Sequence, residues 1–129
     1  MKNTYSFKKV IIVDDEMDYA AVFSEYLEIY DFEVLGIGHS GKDAFELYQK
    51  HRPDAVFLDL MMLEYYGFYG LEKIRKFDPN AKIIVITADV TESTKRRLSL
   101  LGPNALIYKP FDLKVIFSTL KKLEEVSAI

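Results

Sequence analysis

Ile83-Ile84-Val85-Ile86 is a run of four β-branched residues with no polar break. Such side chains are stiff at χ1 and favour strands. A strand apolar at every position needs cover on both faces, as in a parallel sheet sandwiched by helices. Four further apolar runs predict strands of the same kind: Val10-Ile11-Ile12-Val13, Val34-Leu35-Gly36-Ile37, Ala55-Val56-Phe57-Leu58 and Ala105-Leu106-Ile107-Tyr108. Pro53-Asp54 punctuates the chain before the third of the five, and Pro110 stops the last.

Outward from these runs, each is followed by apolar residues at helical spacing. Ala20, Phe23, Leu27 and Tyr30 share one face of the first such segment, and Ala44, Leu47 and Tyr48 share one face of the second. Leu71 and Ile74 mark the third, and Leu113, Ile116, Leu120 and Leu123 the last. The fourth, Thr91 to Leu101, is the least regular. Five strand–helix units in succession predict an α/β fold, a doubly wound five-stranded parallel sheet. The right-handed crossover rule leaves few orders in which to arrange it.

The chain has 129 residues, a length that suits one domain of this kind. Seventeen basic and 20 acidic residues leave a net charge of −3, which argues against a nucleic-acid partner. With 50% hydrophobic and 29% charged residues, the composition is that of a folded, soluble chain. Cysteine is absent, which excludes disulfides, a thiol nucleophile and Cys-ligated metals. His39 and His51 are too few for a three-His zinc site. No apolar run approaches the ~20 residues that span a bilayer, and Met1 to Tyr5 lacks the apolar core of a signal peptide. These features predict a cytoplasmic, single-domain protein over 1–129, with its core at about 9–125 and no second domain. Nine Tyr and nine Phe, with no Trp, are the compositional excess that needs an explanation.

In open parallel sheets the functional crevice lies outside the carboxyl ends of the strands. Asp14, Asp15 and Glu16 follow the first run, Asp59 the third, Thr87 the fourth and Lys109 the fifth. Carboxylates brought close together repel one another unless a cation bridges them. With oxygen ligands and neither Cys nor a His cluster, the fitting cation is Mg²⁺ or a similar hard ion. Mg²⁺ is commonly shared between carboxylates and phosphate oxygens, so a phosphoryl group fits here. Lys109 can pair with one phosphoryl oxygen and Thr87 can donate a hydrogen bond to another. Asp59 is then the candidate nucleophile, forming an aspartyl-phosphate.

The ordered set Val13-Asp14-Asp15-Glu16, Pro53 to Met62, Thr87-Ala88 and Lys109-Pro110-Phe111 resembles the receiver domains of two-component response regulators. Val34 to Ala44 and Gly67, eight residues after Asp59, fit as well. The resemblance runs from about Lys9 to the end of the chain. It implies the flavodoxin-like (βα)5 strand order 2-1-3-4-5 and a phosphoacceptor at Asp59. It implies Mg²⁺ held by Asp15, Asp59 and the backbone carbonyl of Met61, with Asp14 acting mainly through water. Thr87 and Lys109 would contact the phosphoryl group, and the Lys109–Pro110 bond would be cis. The implied partners are a histidine kinase or phosphotransfer protein and a downstream protein target or an output domain outside this chain, with a phosphorylation-dependent homodimer open. The implied role is a signalling receiver, not a conventional enzyme, that assists its own phosphotransfer and dephosphorylation.

Three departures stand out. Leu63 replaces the usual proline after Asp59, Pro103 replaces the usual alanine after Gly102, and Leu106 replaces the Tyr or Phe that swings inward on phosphorylation. Leu106 cannot couple as an aromatic to Thr87. Tyr108, on the same face of its strand, belongs either to an output surface or to packing under the fifth helix. Tyr65, Tyr66, Phe68 and Tyr69 crowd the loop after Asp59, a composition found at interfaces. The basic run Lys95-Arg96-Arg97 reads as a solvated face. Two other chemistries use this architecture or this nucleophile. An FMN module needs a Gly- and Ser-rich first loop, where Asp14 to Asp18 would repel phosphate. A haloacid-dehalogenase-type hydrolase needs a second Asp where Met61 stands.

Overall fold

The computed structural model describes residues 7–62 and 67–127. Leu63, Tyr65 and Tyr66, the basis for a looser loop and for half of the aromatic patch, lie outside them. Strands and helices alternate throughout: β1 (Lys9–Val13), α1 (Met17–Ile29), β2 (Glu33–Gly38), α2 (Gly41–His51), β3 (Ala55–Asp59), α3 (Gly67–Phe77), β4 (Ile83–Thr87), α4 (Glu92–Leu101), β5 (Ala105–Tyr108) and α5 (Leu113–Ser127). The sheet is parallel, in the expected order β2-β1-β3-β4-β5. Among the described residues, no helix is long and apolar enough to cross a membrane.

Every residue of β3 and β4 is buried, which explains why these runs show no polar alternation. The sheet separates two apolar clusters. On one face Ile12, Phe57, Ile84 and Ile107 pack against Phe23 and Leu27 of α1 and Ile116 and Leu120 of α5. On the other, Ile11, Val56, Leu58 and Val85 pack against Tyr48 of α2, Leu71 and Ile74 of α3 and Leu98 of α4. Burying each such side chain contributes ~1.5–3 kcal/mol before entropy is set against it.

The aromatic excess goes largely into these two layers. Phe23 meets Phe57 edge-on at 5.2 Å, and Phe117 lies against Tyr30 and Phe32. On the opposite face Phe77 packs edge-on against Phe45 and Tyr48. Ser40 and Thr91 cap α2 and α4 by accepting the amides of Asp43 and Thr94. Thr91, expected to open the fourth helix, is therefore its cap.

Register brings the strand ends level. Val13 pairs with Leu58, so Asp14 and Asp59 stand side by side one residue later. Asp59 pairs with Ile86 and Thr87 with Tyr108, which sets Thr87 and Lys109 one step further along the same edge. Asp59 and Thr87 prove to be the last residues of their strands, where the sequence placed them just beyond.

Candidate functional site

The carboxylates of Asp14, Asp15 and Asp59 each offer an oxygen within 4.8 Å of the others. Asp14 and Asp59 are buried at 3% and 5% exposure, so water screens their crowding only weakly. Asp14 Oδ1 accepts the Glu16 amide at 2.9 Å, folding the start of the β1–α1 loop onto itself. Asp59 Oδ1 accepts the Met61 amide at 3.1 Å. The other oxygens of both residues face Lys109, whose Nζ donates to Asp14 Oδ2 at 3.1 Å and to Asp59 Oδ2 at 3.3 Å. The Lys109–Pro110 bond is cis, as expected.

The electrostatics follow from this crowding. Burial, with Asp14 beside it, pushes the Asp59 carboxyl up to about 6, against the pull of the Met61 amide and of Lys109. Burial works against the Lys109 ammonium, but the hydrogen bond to Asp14 and the charge of Asp59 overcome it and hold its pKa above the ordinary value. The set is all oxygen and closely spaced, which fits a hard divalent cation of the Mg²⁺ kind.

An open cleft of about 420 Å³ fronts the cluster, lined by Asp15, Glu16, Asp59, Met61, Ala88 and Lys109. Asp14 and Thr87 are buried away from it. The Thr87 Oγ1 accepts the Asp89 amide at 3.0 Å, and Asp89 in turn accepts from the Thr91 amide and the Thr94 hydroxyl. Gly67 starts α3 against the back of Asp59: a Cβ there would lie 2.4 Å from the Asp59 carbonyl oxygen and 2.5 Å from the Leu60 Cα. Only glycine lets the helix approach the strand end so closely.

Leu106 is half-buried against the cluster that holds Val85 and Leu98, and Tyr108 is exposed. The packing of Tyr108 beneath α5 is thereby overturned: strand parity points it to the opposite face from Ile107, which packs on the α5 side. Phe68 does face inward in part, and the Arg97 guanidinium covers its ring at 3.8 Å, so the basic run is not wholly solvated.

Two residues beside the site carried no expectation. His39 Nδ1 donates to the Asp14 carbonyl at 2.9 Å, and the Asp14 amide donates to the Gly38 carbonyl at 3.0 Å. The β2–α2 turn thus holds the Asp14 peptide on both sides. A carbonyl only accepts, so the proton sits on Nδ1. Tyr19 stands with its ring centroid 4.4 Å from Lys109 Nζ. A lone histidine after a weak strand and one tyrosine among nine give no signal in sequence that could have marked them.

The family profile described as response regulator receiver domain matches residues 10–121. The chemotaxis protein CheY of Thermotoga maritima is 32% identical over 118 residues, covering 92% of this chain and 98% of that protein. The response regulator protein VraR of Staphylococcus saprophyticus is 31% identical over 115 residues, covering 88% of this chain and 55% of that protein. Among solved structures, a chain of the CheX-CheY-BeF3-Mg complex from Borrelia burgdorferi superposes with a TM-score of 0.82 at 26% identity, covering 89% of this chain and 87% of that one. A CheY-like receiver domain protein from Methanospirillum hungatei reaches a TM-score of 0.85 over 93% of this chain and 95% of that one, at 22% identity. The chain belongs to the response regulator receiver domain family and has the CheY-like fold of two-component signalling.

Proposed function

We propose that Asp59 is the phosphoacceptor of this receiver. A carboxylate oxygen of Asp59 attacks the phosphorus of a phosphohistidine on a histidine kinase or phosphotransfer protein. The new P–O bond forms as the P–N bond breaks, and the imidazole leaves with the electron pair. The observation that carries this reading is Asp59 itself: a buried carboxylate crowded by Asp14 and Asp15 yet open to a cleft. Asp15, Asp59 and the Met61 carbonyl would hold Mg²⁺, with Asp14 at one remove. Bound there, the ion offsets the negative charge of the carboxylates and of the incoming phosphoryl oxygens.

The chain's own residues do the rest. Lys109 already reaches Asp59, so a phosphoryl group carried there would find its ammonium at hand as a donor. Thr87, at the end of the neighbouring strand, would turn its hydroxyl from its own loop to a second oxygen. The Asp89–Thr91–Thr94 hydrogen bonds tie that loop to the start of α4, so such a turn would be felt at the helix. The signal then passes by phosphorylation-dependent protein contact, to a separate target or to an output domain outside this chain.

Acetyl phosphate with Mg²⁺ should add one phosphoryl group to the protein by intact mass. Asp59→Asn should remain unlabelled. Labelling of the Asn variant at the wild-type level sinks the site assignment. A wild type that stays unlabelled while it binds Mg²⁺ sinks the acceptor reading.

A further inference from the structure

Lys109 is enclosed on three sides. Two of its N–H bonds go to Asp14 and Asp59, and the ring of Tyr19 covers the ammonium at 4.4 Å. The side chain keeps 16% exposure. Tyr19 is itself fixed. Phe23 and Phe111 each lie 6.5 Å from it centroid to centroid, Phe111 edge-on, and those two meet each other at 5.9 Å. Phe23 rests in turn on Phe57 of the central strand, two residues before Asp59. The ring is thus braced from α1, from β3 and from the segment that follows Pro110.

We propose that Tyr19 is a positioning residue for Lys109. It forms a fixed aromatic wall along which the ammonium moves from the Asp59 carboxylate to a phosphoryl oxygen. A hydrogen bond to a carboxylate is directional and must break when the acceptor changes. The attraction of an ammonium to a π face requires only that the cation stay over the ring, within about 6 Å of its centroid. The ring therefore keeps its hold on the cation while the two carboxylates compete for it, and it keeps water from that side. This rests on the reading of Asp59 as phosphoacceptor.

The test compares wild type, Tyr19→Leu and Tyr19→Phe, because Leu keeps an apolar side chain and Phe keeps the π face. In metal-free protein, the Lys109 Cε protons should lie upfield by ring current in the wild type and in Tyr19→Phe, and at ordinary positions in Tyr19→Leu. With acetyl phosphate and Mg²⁺, the maximal labelling rate of Tyr19→Leu should fall roughly three- to tenfold. The Mg²⁺ concentration for half-maximal rate should not move, and Tyr19→Phe should bring the rate back to within about twofold of wild type. A Tyr19→Leu rate equal to wild type, or a Tyr19→Phe rate as low as that of Tyr19→Leu, overturns the role of the ring. Absence of labelling in all three proteins overturns the acceptor reading instead, so the two failures are distinguishable.

Discussion

At the amino ends of the strands, the Arg75 guanidinium donates to the carbonyls of Pro79, Ala81 and Gly102 and to Asn104 Oδ1, all within 3.0 Å. Asn104 Oδ1 also accepts the Ile83 amide, and beside this group Tyr48 donates its hydroxyl to Asp78 at 2.6 Å. At the carboxyl ends, Lys109 bridges two buried carboxylates with a third close by. One end has a donor cation shared among neutral oxygens. The other gathers three carboxylates, and among the described residues Lys109 is the cation that bridges two of them. The difference separates labour along one sheet: the amino end closes loops and holds the fold, and the carboxyl end stores unfavourable charge that a ligand can relieve. Natural proteins commonly give up stability at functional sites in this way.

The contrast breaks most directly at Arg75. Arg75→Met keeps the stem and removes all four hydrogen bonds, taking the guanidinium from the Ala81 carbonyl and leaving Asn104 Oδ1 with one donor fewer. We expect a loss of about 2–3 kcal/mol in urea unfolding, because deleting one partner costs more than the bond's net worth. Labelling by acetyl phosphate should persist in the folded variant. A loss below about 0.5 kcal/mol, the scale of an ordinary surface substitution, would show that the amino end is not a tie at all.

At the opposite end, removing charge should have the opposite sign. The Asp59 carboxyl is held up to about 6, above its ordinary 3.8, so its ionised form is worse placed in the folded chain than in the unfolded one. Stability contributed by such a group is lost as pH rises through that interval. At pH 7, Asp59→Asn should therefore stabilise metal-free protein, by about 1–2 kcal/mol once the open cleft's solvent is allowed for. The gain should shrink as pH falls below 6 and Asp59 protonates in the wild type. A destabilised Asn variant would mean that its bond to Lys109 outweighs the crowding.

How much of this was legible in the sequence follows the same division. The strands of apolar residues and the Asp, Asp, Thr and Lys at their ends could be read directly, because burial on both faces and strand-end chemistry leave a local record. Strand-end placement alone brought Asp14, Asp59 and Lys109 together. Tyr19 and His39 could not be read, because their roles lie in contacts across the fold: Tyr19 meets Lys109 from the far end of the chain, and His39 meets a backbone carbonyl that any residue would supply. The amino-end network was equally silent, since Arg75 and Lys76 look alike on a polar helix face. Only Arg75 reaches back across the α3–β4 and α4–β5 loops; Lys76 pairs with Glu72 on its own helix.

The smallest expected effect refines the contrast by pH. Tyr48→Phe removes one charge-assisted hydrogen bond and keeps the ring against Phe77. Its cost at pH 7 should be about 1 kcal/mol. That hydrogen bond holds the Asp78 carboxyl below its ordinary 3.8, so the stability it contributes is present above that value and lost as pH falls through the lower, folded-state one. On the alkaline side, burial and the same bond raise the Tyr48 phenol above 10, so the advantage is lost again as pH climbs past the point where the unfolded tyrosine ionises. Urea unfolding of both proteins from pH 3 to pH 10 should give a difference that is flat near neutrality and shrinks at the acid end. A difference that stays constant to pH 3 would assign the effect to packing, and the amino end would then be held by shape more than by charge.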